Sequence, residues 1–534
     1  MSRSDMMARL RQLARLAAQQ GQEGDDVATP GNESRRRFTK GVIAATTGAA
    51  AWSLSPAAFA ALGTAGRIRQ VNTRTQVAVV GAGLAGLACA NELARLGLQA
   101  SVFEAGERVG GRCASLRGVF PGQVVERGAE FIGGSHLVMQ GYARALGLEL
   151  EDASRLPGDT YFQFSGNRYS QAQVAREYRE FAQSIQGDLA RIGAPTADQF
   201  NAGEQALDLL SIDEYLDQRG AGRLLRQFVS SAYLAEYGAS IHELSALGFL
   251  RFVHGNPRSK LAPFGGDEGA RLRVVGGNDQ IATGLAGQLP VPVDFGHRLV
   301  SVRRLASGKV RLVFDVAGTT VQRDYHAAVL ALPFSVLRDV EMHASLAMPS
   351  WKSLAINASA MGNHGRITVG FDSPVWYARH GLSGTGYTDL QRVQATWEAH
   401  AGNAGSDAAV LAAHVGGDAA LALGQQGVQA DASAFLAQLE QVMPGATAAA
   451  SRDAAGNLRA HVESWSHNPL AKGSYTCTRP GYFTTMAHNE AKPLGNLLFA
   501  GDHTSSVYEW QGFMEGAALS GLRAAAEVHA MARV

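Results

Sequence analysis

The sequence predicts an α/β fold, and three observations carry that prediction. Short Val- and Ala-rich runs such as Gln76–Val80, VRLVF and AAVLALP read as buried strands, because a strand covered on both faces needs no polar alternation. Longer helical patterns stand between them, including Gln171–Ile192 and the final GFMEGAALSGLRAAAEVHAMA. Strands and helices interleave along the whole length with no internal repeat, which points to layered sheets and helices.

At 534 residues the chain is long enough for two domains. Its composition is 46% hydrophobic and 18% charged with a net charge of +1, so there is no general attraction to nucleic acid or anionic lipid. The 62 glycines accompany plentiful apolar residues and indicate turns and close backbone approaches, not disorder. Only three cysteines occur, Cys89, Cys113 and Cys477, too few and too far apart for a metal-ligand set or a disulfide framework.

Taken in order, residues 1–33 are polar and helix-prone, and Arg35, Arg36 and Arg37 precede a dilute apolar segment from Gly41 to Ala60. That segment is too weakly apolar for a stable anchor, which needs ~20 strongly apolar residues. Ser34-Arg35-Arg36-Arg37-Phe38-Thr39-Lys40 matches the twin-arginine export pattern, and Ala58-Phe59-Ala60 reads as a signal-peptidase site. The expectation is a signal peptide over 1–60, a linker over 61–75, and a periplasmic enzyme carried folded by the twin-arginine translocase.

Gly81-Ala-Gly83-Leu-Ala-Gly86 follows the first strand and opens a helix. The first glycine permits the tight turn, the second lets the backbone approach a pyrophosphate, and the third lets helix and strand pack closely. The helix N-terminus then favours phosphate, and Glu104, ending the next strand, is placed for a ribose diol. This fingerprint alone does not separate NAD from FAD. TYFQFSGNRYS reads as a hairpin, LRVVGGNDQIATGLAGQL as strand, turn and helix, GRITVGF as a half-buried strand, and NLLFAGDHTS as strand then loop.

Two further segments decide the resemblance. Arg108-Val-Gly110-Gly111-Arg112 and the C-terminal FAGDHTS…EWQGFMEGAALSGLRAA are similar to motifs of the flavin amine oxidase family, and the likeness runs from about Gln76 to the end. The resemblance implies an FAD-binding Rossmann-like domain interleaved with a mixed-sheet and helical substrate domain. Its parts are 76–158, 268–335 and 466–534 for FAD, and 159–267 and 336–465 for substrate. It implies that Gly110 and Gly111 pass the pyrophosphate, that Arg112 neutralises it, and that Gly501 and Asp502 meet the ribityl–phosphate region. Gly512, Phe513 and Met514 would open the last helix at the flavin, with Gly128, Ala129 and Phe131 also at the cofactor.

On the reacting face the resemblance implies two rings. Trp465-Ser-His-Asn-Pro469-Leu-Ala-Lys-Gly473-Ser474-Tyr475 places the first on Tyr475, and the C-terminal motif places the second on Phe513, with Trp510 its competitor. Ser474 occupies the position of the cysteine that binds flavin covalently in some members, so FAD is expected to be non-covalent; Cys477, two residues off, reads as packing. Where the family has a lysine, this chain has Arg366, which stays protonated and cannot act as a base. It is either a site residue or a surface strand residue, with Lys352 the substitute. Amino-acid oxidases of the superfamily clamp the substrate carboxylate with an arginine, and the matching position in Gly128-Ala129-Glu130-Phe131-Ile132-Gly133 is Phe131.

The reaction so implied is hydride transfer from an amine to FAD, with oxygen or a respiratory carrier as acceptor. An L-amino-acid oxidase, a desaturase or isomerase, and a non-catalytic flavin-binding protein are the alternatives.

Overall fold

The computed structural model describes residues 75–153, 157–254, 271–399, 408–505 and 510–532. The predicted signal peptide and nearly all of the linker lie outside the described residues.

A parallel four-stranded sheet organises the nucleotide half. Its order is Ala100–Phe103, Val77–Val80, Ala327–Leu330, Leu497–Phe499. The central strands Val77–Val80 and Ala327–Leu330 are buried at every position, as their unbroken apolar runs require. The chain leaves Val77–Val80 for one side of the sheet and later returns on the other side. A crevice therefore opens at the carboxyl ends of these two strands, where parallel sheets bind ligands.

Helix Leu84–Arg95 packs its buried face on this sheet, and the last helix, Met514–Ala532, packs on that helix. The contact is close because Gly521 lies against Ala85 and Ala88, where a Cβ would collide with the Ala85 carbonyl. A second layer, Thr319–Tyr325, Val310–Val316, Arg298–Arg304 and Glu341–Met342, shares a core with the other face through Phe314, Val302 and Leu330.

The other half is built on a seven-stranded sheet. Its order is Ala460–Ser464, His364–Phe371, Ala409–Gly416, Ala395–Glu398, Leu382–Thr388, Asp159–Phe164, Asn167–Tyr169. The expected hairpin is present, turning at Ser165 and Gly166, both with positive φ. The helical stretch from Gln171 breaks at Ile185 into Gln171–Ser184 and Gln186–Leu189. One expectation is corrected here. The strand His364–Phe371 is buried at all eight positions, not half-buried, because it has neighbours on both edges and is covered on both faces. Arg366 is therefore no surface residue; it is 2% exposed. Among the described residues, no helix is long and apolar enough to cross a membrane.

Candidate active site

All four parallel strands deliver residues to one cavity of ≈ 980 Å³. Gly81 and Gly83 follow the first strand, Glu104 the second, Ala331–Pro333 the third, and Gly501 and Asp502 the last. The cavity continues to the seven-stranded sheet, where His364, Arg366 and His414 form its wall.

The glycines and Glu104 meet at one end of the cavity. Gly81 has φ +104, which L side chains avoid, and Gly86 lies so close to the Gly81 carbonyl that a Cβ would overlap it. Gly83 differs: a Cβ there would meet no protein atom within 4 Å, so the space beside it belongs to the cavity. Gly110 reaches this loop by donating its N–H to the Ala82 carbonyl (2.8 Å), and Gly111 lies against Gly83. Glu104 is fixed by the N–H groups of Ala82 and Gly106, both at 2.8 Å. Gly128 approaches the Arg112 carbonyl and the Trp465 ring too closely to carry a side chain.

Arg112 and Asp502 meet each other. The Arg112 guanidinium pairs with both carboxylate oxygens of Asp502 and donates to the Ser474 carbonyl. Burial opposes the carboxylate's charge, but Arg112 and then His503 outweigh it and hold Asp502 well below the usual carboxylate range.

At the reacting end, Tyr475, Phe513 and Phe131 line the cavity as expected. The Tyr475 hydroxyl donates to the carbonyl of Glu236, at the end of the helix Arg223–Tyr237. Phe513 packs edge-on against His136 at 5.3 Å, and Glu515 accepts N–H bonds from Val138 (2.9 Å) and Met139 (3.0 Å). Glu515 thus caps the helix Leu137–Ala145 and fixes the turn that presents Phe513. Trp510 is corrected. It is not on the cavity wall; its carbonyl accepts the Phe513 N–H (3.1 Å) and packs against Gly516, so it serves the turn through its backbone.

The sheet side carries residues the sequence reading missed. His364 is neutral, pushed down to about 4 by burial. Its Nε2–H donates to the Ala235 carbonyl and its Nδ1 accepts from the Ser474 hydroxyl at 2.7 Å. Ser474 is thus engaged at the position where some relatives bond flavin. Arg366 and His414 are cross-strand partners, with Nη2 of Arg366 3.4 Å from His414 Nε2. Burial holds His414 well below its ordinary value. Arg366 pairs with Glu130 at 2.7 Å, donates to the Glu126 carbonyl and stacks 4.9 Å over Trp397, whose indole N–H also donates to Glu130. Glu130 lay inside the segment that supplied Phe131, but a pairing across 236 residues leaves no local signal.

Lys352 does not substitute for the family lysine. It is fully buried away from the cavity wall, donates to the carbonyls of Asn489 (2.6 Å) and Glu490 (3.0 Å), and burial lowers it to about 7. Arg127 turns to Glu463 at 2.6 Å. An arginine from another strand does reach Phe131: Arg271 lies 5.7 Å over its ring, though not on the cavity wall. Cys477 is buried packing, 1% exposed.

The model of flavin containing amine oxidoreductases matches residues 84–529. The chain belongs to that family. AofH of Mycobacterium tuberculosis, named as a flavin-containing monoamine oxidase, is 29% identical over 85% of this chain and 96% of its own length. Amine oxidase [flavin-containing] B of Cavia porcellus is 26% identical over 86% of each chain. An L-amino-acid oxidase of Pseudechis australis is 23% identical over 86% of this chain and 88% of its own. Among solved structures, cyclohexylamine oxidase from Brevibacterium oxydans IH-35A superposes with TM-score 0.72 at 22% identity, covering 86% of this chain and 99% of that one. Putrescine oxidase bound to putrescine gives TM-score 0.72 at 21% identity, covering 85% and 99%. These likenesses establish the same two-part fold.

The family's cofactor is FAD, and the residues here fit it. The open space at Gly83, the helix N-terminus behind it and Glu104 suit the pyrophosphate and ribose. The Arg112–Asp502 pair and the opening of the last helix suit the ribityl and ring regions.

Proposed function

We propose that this flavin-dependent enzyme oxidises a primary or secondary amine to an imine, which hydrolyses to a carbonyl compound and ammonia or a smaller amine. When bound, FAD supplies the oxidising centre that takes the hydride from the α-carbon. The protein's part is to enclose and desolvate. Simple amines resemble lysine, with pKa near ~10, and walls made of Tyr475, Phe513 and Phe131 disfavour the protonated form by excluding water. Burial makes His364 and His414 poor proton acceptors and an arginine such as Arg366 holds its proton, so these three wall groups do not deprotonate the substrate. The start of the last helix faces the cavity at Gly512–Met514, and its dipole favours negative charge there.

One observation carries the choice of amine over amino acid. The position for a carboxylate clamp holds Phe131, and of the arginines lining the cavity Arg366 is already bound to Glu130, Arg127 to Glu463 and Arg112 to Asp502. The second reading, an L-amino-acid oxidase, is favoured by Arg271 over Phe131. Anaerobic titration with amines and amino acids tests both: bleaching of the flavin by amines supports the first, and bleaching by amino acids alone supports the second. Oxygen as acceptor, yielding hydrogen peroxide, fits the reaction; a peroxide assay separates it from a respiratory carrier.

We further propose export in the folded state. The cavity gathers residues from Val80 to Ala517, so FAD binds only an assembled chain, and the twin-arginine pathway carries assembled chains. Replacing Arg35 and Arg36 by Lys should leave active enzyme in the cytoplasm; unchanged periplasmic activity would refute the proposal.

A further inference from the structure

We infer that Glu130 is a specificity-determining residue, which acts by cancelling the charge of Arg366 on the wall of the amine pocket. The inference rests on the amine reading above. Both side chains are almost wholly buried, 1% exposed for Glu130 and 3% for Arg366, and both line the cavity. Arg366 is linked to the reacting end through His414 at 3.4 Å and through His364, whose ring lies 5.4 Å from His414 and 5.1 Å from Tyr475. A bare guanidinium there would act across a water-poor space, where charge is weakly screened.

The other nearby carboxyls do not do this work. Burial pushes Glu126 up to about 8, so it is protonated near neutrality and only its backbone carbonyl meets Arg366. Glu463 stands opposite Arg366 in the sheet, but Arg127 (2.6 Å) and His461 (3.4 Å) hold its carboxylate. Glu130 is also 3.9 Å from Arg273, which Glu151 binds at 2.6 Å, so the cluster is balanced while Glu130 is ionised. With the balance intact, the wall neither repels a cationic amine on its way in nor offers a partner to a substrate carboxylate. Loss of the Glu130 charge alone would make the wall repel a cation and attract a carboxylate.

Glu130→Gln keeps the size and an acceptor for the Trp397 N–H, and removes the charge. Arg366→Met removes the opposing charge and keeps an apolar stem. Benzoate and phenyltrimethylammonium, an anion and a cation of similar size that yield no hydride, are titrated into the holoenzyme and followed by the visible flavin spectrum. In Glu130→Gln, benzoate should bind about tenfold tighter and phenyltrimethylammonium about tenfold weaker. Arg366→Met should shift both ligands the other way, and the double variant should return both to within about threefold of the parent. A structural role alone would weaken both ligands together in each single variant. That result, or no change in either affinity, overturns the inference. Where Glu130→Gln yields no holoenzyme, Arg366→Met and the double variant carry the same test through the opposite sign and its reversal. A parent enzyme that prefers benzoate would count against the amine reading, while the direction of the shifts still judges Glu130.

Discussion

Arg112 closes on Asp502 across 390 residues of sequence, and the pair joins the two cofactor segments at opposite ends of the chain. Asp502 is buried while Arg112 is partly exposed, so removing the arginine leaves the buried carboxylate uncompensated and is the more destabilising change. Asp502→Asn and Arg112→Ala should therefore both lower the melting temperature and the flavin-to-protein ratio of purified enzyme. Full flavin content with an unchanged melting temperature would contradict the role given to the pair.

Gly83 and Gly86 separate cofactor binding from folding. A methyl group at Gly83 meets only the cavity, so Gly83→Ala should leave circular dichroism unchanged and weaken FAD binding about tenfold or more. At Gly86 the same methyl overlaps the Gly81 carbonyl, and overpacking of this kind costs about 1–3 kcal/mol. Gly86→Ala should thus lose stability first. Equal effects of the two variants on FAD affinity and on melting temperature would show that the distinction is wrong.

The fingerprint, the GGR turn and the last helix were legible because each is a local pattern whose glycines have a local reason. Tyr475 and Phe513 were placed by the family resemblance of their motifs, and both line the cavity. Arg366 was legible as a departure, but its burial was not, since GRITVGF has the same pattern whether one face or both are covered. Glu130, His364 and His414 were missed because their roles come from strand register and cross-chain contact. Trp510 was over-read: an aromatic residue three positions from Phe513 faces where the turn sends it, and Glu515 with Gly516 sets that turn.

Stability should fall on both sides of a maximum near neutral or slightly acid pH. Burial lowers His364 and His136 to about 4. Below about pH 6.5 the unfolded imidazoles take up protons that the folded ones refuse, so stability is lost as pH falls through that window. Glu515 is raised to about 7 by burial, so its contribution is full below its unfolded value of about 4.3 and is lost as pH rises toward 7. Between about pH 5 and 6.5 this loss opposes the gain from the two histidines, so Glu515→Gln should steepen the rise of stability with pH, measured by calorimetry; an unaltered slope would refute the assignment.

With a hydroxyl at Ser474, held by His364, no covalent bond to flavin is expected at that position. Acid precipitation should release all yellow chromophore into the supernatant. Flavin kept in the washed pellet would overturn this expectation.

The proposed pocket takes amines and has no clamp for a carboxylate. Steady-state kcat/KM for pairs that differ only in the carboxylate, such as tyramine and tyrosine, tests it most directly. The amine should be favoured by at least about tenfold, equivalent to ~1.4 kcal/mol in the transition state. A consistent preference for the amino acid across several pairs would contradict the claim and assign the enzyme to amino-acid oxidation.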